Sequence, residues 1–335
     1  MSSTASSGLF ERQRVTRRDE MVFVERLTVA VVLLIVGIGT ELYGGTVGVV
    51  VGVVILAATY THMVELQHQC LHHSAFRTTR WHRIVGIPLG LPMLVSYSHY
   101  RVRHLQHHRF LGTPNDSEFF GFDTRQPITW GSLLEGAFDY ARLITVVREI
   151  GAATVGRWQY TQGQISPRRR KAVITEYRLM GALLLGLVVL CAFGGEPAIV
   201  QFWFMPLVVA APIHFMVELP EHVLCESDTQ DVLRNTRSIT GSKLTTWFTN
   251  GNNLHVEHHA AMTVPINRLR GRHAEVLRTA RHVDRSYVGF YWRLATIATT
   301  NTVKNLSRSG VTTDHTTPGR TSGGTRQEAP KWLRY

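Results

Sequence analysis

The chain has 335 residues, is 44% hydrophobic and carries 36 Lys and Arg against 24 Asp and Glu, a formal net charge of +12. Its mean hydropathy of −0.02 averages strongly apolar blocks with strongly basic ones. The cysteines, Cys70, Cys191 and Cys225, are odd in number and lack CxxC spacing, which argues against a disulfide framework, and no nucleic-acid-binding motif accompanies the basic charge, so no nucleic-acid partner is expected.

In chain order, residues 1–25 form a basic N-terminal arm with Arg12, Arg14, Arg17 and Arg18. An apolar block near 27–43 follows, then Gly44-Gly45, then a second block near 46–66 that runs without a breaker to His73. The first block is too long for a signal-peptide core and lacks a small-residue cleavage site, so it reads as a retained helix. Residues 84–95 are apolar but interrupted by Pro88 and Pro92, and so are expected to lie at the membrane interface or beneath the bundle. Residues 130–148 alternate aromatic and aliphatic residues with charges. They read as one amphipathic helix, on a membrane surface or in a soluble layer. A second apolar pair lies near 179–194 and 198–218, separated by Gly194 to Pro197. From 307 to 335, Ser, Thr, Gly, Pro and basic residues dominate, which predicts a disordered tail.

A helix crosses a bilayer with roughly 17 to 25 apolar residues, so the four blocks predict four transmembrane helices in two hairpins. Two buried hairpins of a soluble protein are the alternative, disfavoured because nearly uncharged runs of this length are unusual in soluble cores. Lys and Arg are absent from the short links at Gly44-Gly45 and at 194–197 but dense in the arm, around Arg168 to Lys171 and in the tail. By the positive-inside rule both termini and the segments between the hairpins face the cytoplasm. The net charge then reads as a membrane-apposed face attracted to anionic headgroups. The fold expected is an all-α membrane protein whose domain at 26–306 carries a cytoplasmic helical cap, in a bacterial plasma membrane.

Three histidine clusters occupy that cytoplasmic side: His68, His72 and His73 in HQCLHH, His104, His107 and His108 in HLQHH, and His255, His258 and His259 in HVEHH. Neutral imidazole is a common transition-metal ligand, and three clusters supply more ligands than one ion takes, so two metals are implied. A helix continuing from the second span puts His68 and His72 on one face, four residues apart, with His73 turned about a quarter-turn away. One HxxHH is weak evidence, but three clusters beside membrane spans on one predicted side are strong. After the last span, HFMVELPEH adds His214, Glu218 and His222, with Pro220 loosening the helix just before His222. A titratable group at the mouth of a span is a functional candidate, whereas His214 and His62, deeper inside, read equally well as satisfied interior histidines.

These segments resemble the membrane fatty-acid desaturase superfamily, over roughly Glu65 to His273. The resemblance rests on HQCLHHSAFR, on YRVRHLQHHRFLGTPNDSE and on LRNTRSI followed by WFTNGNNLHVEHHAAMTVP. It implies a non-haem di-iron centre with two iron ions above a hydrophobic acyl-chain tunnel. The ligands it implies are His68, His72, His104, His107, His108, His222, His255, His258 and His259. His73 is an additional candidate because HxxxH and HxxxHH registers compete. Glu65, Asp116, Glu218, Asn253 and Glu257 are candidates to stand behind the ligands.

Such a centre uses dioxygen as co-substrate to take hydrogen from an unactivated C–H bond. Loss of a second, adjacent hydrogen gives a double bond, and return of hydroxyl gives an alcohol. A fatty acyl desaturase is the first reading, and a hydroxylase or ketolase of a lipid or carotenoid-like substrate is the alternative. A membrane zinc hydrolase needs only about three protein ligands, and a non-catalytic lipid-binding relative has no need of complete clusters. Neither end carries a haem-binding domain or a CxxxxCxxC pattern, so electrons are expected from a separate ferredoxin and its reductase. Arg77, Arg80, Arg83, Arg101, Arg103 and Arg109 are placed to meet that donor, the phosphates of an acyl-CoA or acyl-carrier protein, or the headgroups of an acyl-lipid.

Overall fold

A computed structural model describes residues 13–117, 120–194 and 198–310. Helix α1, Arg17–Tyr43, begins ten residues before its apolar block because Thr16 and Asp19 form a reciprocal capping box. Gly44 ends it, and Gly45, at φ +61°, turns the chain directly into α2, Gly45–Leu71. The two helices approach closely through glycine. A Cβ on Gly37 would lie 2.6 Å from Leu56 Cδ2, and one on Gly52 would lie 2.7 Å from the Gly37 carbonyl.

Helix α2 continues past its apolar block and carries Glu65 and His68 with it. It ends where Ser74 N–H bonds the Gln69 carbonyl and His73 N–H bonds that of Cys70, the pairing of a Schellman cap. His73 occupies the left-handed cap position, at φ +54°. Helix α3, Thr79–Gly90, packs on α2, runs through Pro88 and gives way after Gly90 to a tight 3₁₀ turn, Leu91–Met93. Helix α4, Tyr97–Phe110, follows, capped by Ser96.

The segment expected as one amphipathic helix is two: α5, Trp130–Ala137, and α6, Ala141–Thr154. The break at Phe138 to Tyr140 lets Tyr140 Oη donate to the Val208 carbonyl, so each half follows its own neighbour. Helix α7, Pro167–Gly194, starts well before its apolar block, with proline at its first position where no N–H is needed. It packs on α6 and α4. Helix α8, Met205–Glu218, is preceded by a π turn, Val200–Phe204, followed by a 3₁₀ turn, Leu219–Glu221, and packs on α2.

Among the described residues, four helical stretches are long and apolar enough to cross a membrane: Arg17–Tyr43, Gly45–Leu71, Pro167–Phe193 and Val200–Glu221. They leave large apolar side chains outward, with Ile35 66%, Val47 75% and Leu190 71% exposed. Soluble domains rarely tolerate this much contiguous apolar surface, whereas lipid does.

Short elements build the remainder. Helix α9, Val232–Asn235, leads into strand β1, Arg237–Ile239, followed by α10, Lys243–Phe248, α11, His255–Ala260, α12, Ile266–Leu269, and α13, His273–Thr279. Strand β2, His282–Asp284, pairs parallel to β1 with Arg237 opposite His282. The described residues are mostly helical, as expected, with this small two-stranded sheet added. Three-residue strands leave no alternating pattern in a sequence. Helix α14, Tyr287–Gly310, runs through the boundary expected at 307, and the rest of the expected tail and residues 1–12 lie outside the described residues.

Candidate metal centre

The ends of α2, α4, α8 and the whole of α11 meet beyond the apolar helices. His68 comes from the last turn of α2 and His72 from its cap, His104, His107 and His108 from α4, His222 from just after the 3₁₀ turn, and His255, His258 and His259 from α11. Nine imidazoles gather there in two adjoining sets. His68, His72, His104, His108 and His258 form one, and His107, His222, His255 and His259 the other, with donor atoms in each set within 4.8 Å of one another. In each HxxHH the helix sends the paired histidines to different sets: His107 and His259 to one, His108 and His258 to the other.

The contacts are made nitrogen to nitrogen. In the first set Nε2 of His104 lies 2.7 Å from that of His68 and 2.8 Å from that of His72, and Nε2 of His108 lies 3.0 Å from that of His104 and 3.1 Å from that of His258. In the second, His222 Nε2 is 3.0 Å from His255 Nε2, and His107 Nε2 is 3.3 Å from His259 Nε2. First-row ions bind imidazole at roughly 2.0–2.1 Å, which separates adjacent ligand atoms by about 3 Å. The spacing is that of neighbouring ligands around one ion.

Protonation supports the same arrangement. His222 Nδ1–H donates to the Asn235 carbonyl at 3.0 Å, and a carbonyl only accepts, so Nε2 carries the lone pair. His107 Nδ1 meets Asp116 Oδ1 at 2.8 Å, and His255 Nδ1 meets Asn252 Oδ1 at 3.2 Å. Burial, reinforced by the neighbouring imidazoles, holds His72, His104, His108, His255, His258 and His259 well below the usual imidazole range and His222 down to about 3. Neutral rings that face one another with lone pairs repel unless a cation lies between them, so the donor set fits two metal ions.

The remaining sequence candidates separate. His73 is outside both sets, because the left-handed cap turns it to stack on His82 with centroids 4.8 Å apart. Asp116 orients His107 and is itself fixed by Gly112 N–H at 3.0 Å. Asn253 serves the backbone, donating to the Ile239 carbonyl at 2.6 Å. Glu257 bonds His273 Nδ1 at 2.5 Å and Ser238 Oγ, and so ties α11 to β1. Glu218 pairs with His214 Nδ1 at 3.3 Å, Glu65 is buried one turn before His68, and His62 donates to the Phe248 carbonyl at 2.7 Å.

Sequence reading passed over Glu221, Asn252, Asn235 and Arg237. Arg237 is buried, donates to the carbonyls of Pro220 and Val223 at 2.8 and 2.5 Å and pairs with Asp284 at 3.0 Å, which clamps the turn that carries His222. A buried guanidinium in LRNTRSI has no periodic signature, and nothing in that polar segment singles it out.

A family model for fatty acid desaturases matches residues 45–291. The chain belongs to the fatty acid desaturase family. This makes it an oxidoreductase of the desaturase and hydroxylase type and a membrane protein. The family is known for di-iron centres, and the two histidine sets fit a metal site of that kind. No curated protein matches the chain.

Proposed function

We propose that this protein is a membrane-bound, dioxygen-dependent fatty acyl desaturase whose two histidine sets hold two iron ions. The observation that carries the proposal is nine imidazoles, seven buried and His108 and His222 partly buried, sorted five and four with their donor atoms converging beside helices long enough to cross a bilayer. The proposed ligands are His68, His72, His104, His108 and His258 for one ion and His107, His222, His255 and His259 for the other. When bound, the ions supply dioxygen activation and an oxidant for an unactivated C–H bond.

The chain's own residues set the conditions for that chemistry. Asp116, Asn235 and Asn252 fix the tautomers of His107, His222 and His255, so that Nε2 is presented as the donor. Burial favours the neutral form of His72, His104, His108, His222, His255, His258 and His259. The overall change balances as two adjacent C–H bonds lost, one C=C bond formed and dioxygen reduced to two waters, with two electrons from a ferredoxin and its reductase and two protons from solvent.

Orientation and partners complete the proposal. In this proposal both termini and the metal centre face the cytoplasm of a bacterial cell and the two pairs of apolar helices cross the plasma membrane, a reading that the basic flanks support. A cleft of about 580 Å³ is lined by Arg80, Arg83, Arg101, Arg168 and Arg169 with Tyr97. Its charge supports a phosphate-bearing acyl substrate or an acidic electron donor on that face. Metal analysis of protein purified in detergent tests the centre: two irons per chain are expected, and a single zinc would replace this reading with a hydrolase.

A further inference from the structure

The two sets are unequal, and the smaller one has an oxygen beside it. Glu221 ends the 3₁₀ turn after α8, is 7% exposed, and places Oε2 3.3 Å from Nε2 of His255, the nitrogen that faces His222. Asp116 meets its histidine at Nδ1, behind the ring, and Glu257 turns to His273 and Ser238, whereas Glu221 reaches a converging Nε2.

Asn252 decides what that contact is. Its Nδ2 donates to Glu221 Oε1 at 2.6 Å, which commits its Oδ1 to accept from His255 Nδ1 at 3.2 Å. His255 thus has its proton on Nδ1, and its Nε2 faces Glu221 Oε2 as one lone pair facing another. His222, with its proton committed to the Asn235 carbonyl, presents its own lone pair to His255 Nε2 at 3.0 Å. Nε2 of His255 thus faces a carboxylate oxygen at 3.3 Å and a second imidazole lone pair at 3.0 Å, an arrangement that a cation reconciles. A carboxylate there also offsets charge that neutral imidazoles leave uncompensated.

We infer that Glu221 is a carboxylate donor to the ion held by His107, His222, His255 and His259, so that one ion has five imidazole donors and the other four imidazoles and a carboxylate. The inference rests on the metal-centre reading above. Asn252 is then a positioning residue, holding Glu221 and His255 in one geometry.

The test uses full-length protein loaded with ⁵⁷Fe in detergent, with iron content and Mössbauer spectra as readouts that need no turnover. Wild-type protein should hold two irons per chain. Glu221→Gln keeps the shape and an acceptor for Asn252 but removes the anionic donor. Its iron content should fall toward one per chain, as at least a tenfold loss of affinity at one ion requires, while the quadrupole doublet of the other ion stays in place. In Glu221→Ala, added formate should restore the second iron and formamide should not. Two irons with both doublets unchanged in Glu221→Gln would overturn the inference, as would an iron loss that formate fails to rescue, since that assigns Glu221 an indirect role. If the glutamine variant does not fold, Glu221→Asp decides instead: a shift confined to one doublet supports direct binding, and unchanged doublets contradict it. Wild-type protein that binds no more iron than a variant lacking His258 and His259 would overturn the metal centre itself.

Discussion

A histidine donates to a metal only from the nitrogen its neighbours leave unprotonated, so the residues behind the rings matter as much as the rings. His107→Ala, His258→Ala or His222→Ala should abolish turnover and lower iron content while membrane insertion persists, and full activity in the His222 variant would remove it from the ligands. Asp116→Ala should weaken iron binding on the order of tenfold through the lost orientation of His107. His73→Ala should leave iron content at the wild-type value, because the helix cap has already turned that ring away. That clusters of histidines could converge was legible for eight of the nine in the HxxxH and HxxHH spacings, since positions three and four apart share a helical face, whereas His222 lies outside those spacings and entered through the family resemblance. The quarter-turn offset also pointed His73 away from that face, although the left-handed cap that fixes its direction was not readable. Nor was Glu221, which a Pro220 turn brings round in a way no helical wheel describes.

His99, a partly buried histidine outside the two sets, makes a pH prediction. His99 on α4 bonds Tyr177 Oη at 2.6 Å and packs edge-on against Trp158, and burial, aided by Arg103, pushes it down to about 3. Because the unfolded chain binds this proton near pH 6.5 and the folded one does not until about 3, His99 lowers stability progressively as pH falls from 6.5 toward 3 and has no such effect above that window. Thermal unfolding in detergent should therefore show a shallower acid dependence in His99→Gln than in wild-type protein. Equal slopes would contradict the assignment.

Among the elements, α4 carries three of the converging histidines, and its first turn is held from α7. Buried Glu176 accepts from Ser98 N–H at 2.7 Å, Ser98 Oγ at 2.5 Å, Ser96 Oγ at 3.0 Å and Arg83 at 3.0 Å. A carboxylate there also complements the positive end of the helix dipole. Glu176→Ala leaves buried hydroxyls without an acceptor, a cost of about 2–3 kcal/mol. It should lower the unfolding temperature and reduce iron content together, with Glu176→Gln milder in both. Unchanged melting of the alanine variant would show that α4 is set by packing alone. The apolar cores of the long helices could be read from composition, but their ends could not. Helix α1 starts at a capping box and α7 at a proline, both well outside the apolar runs. Where tertiary contacts rather than hydropathy govern, as at the break between α5 and α6, the sequence pattern ran on past the true boundary.

At the scale of the whole molecule, the metal centre requires that residues far apart in sequence lie on one side of the membrane. Single cysteines placed at Arg168 and at Arg272 should react with an impermeant thiol reagent only from the cytoplasmic side, and one at Gly45 only from the opposite side. Labelling of position 168 from outside would contradict the proposed orientation. The central claim, that this centre couples dioxygen to the loss of two hydrogens from an acyl chain, is tested most directly by product mass. Purified protein is supplied with ferredoxin, its reductase, a long-chain acyl substrate and isotopically labelled dioxygen. A product two mass units lighter and free of label, formed only when reductant and dioxygen are both present, is the predicted result. A heavier product carrying label would make the protein a hydroxylase, and turnover under strict anaerobiosis would contradict the account.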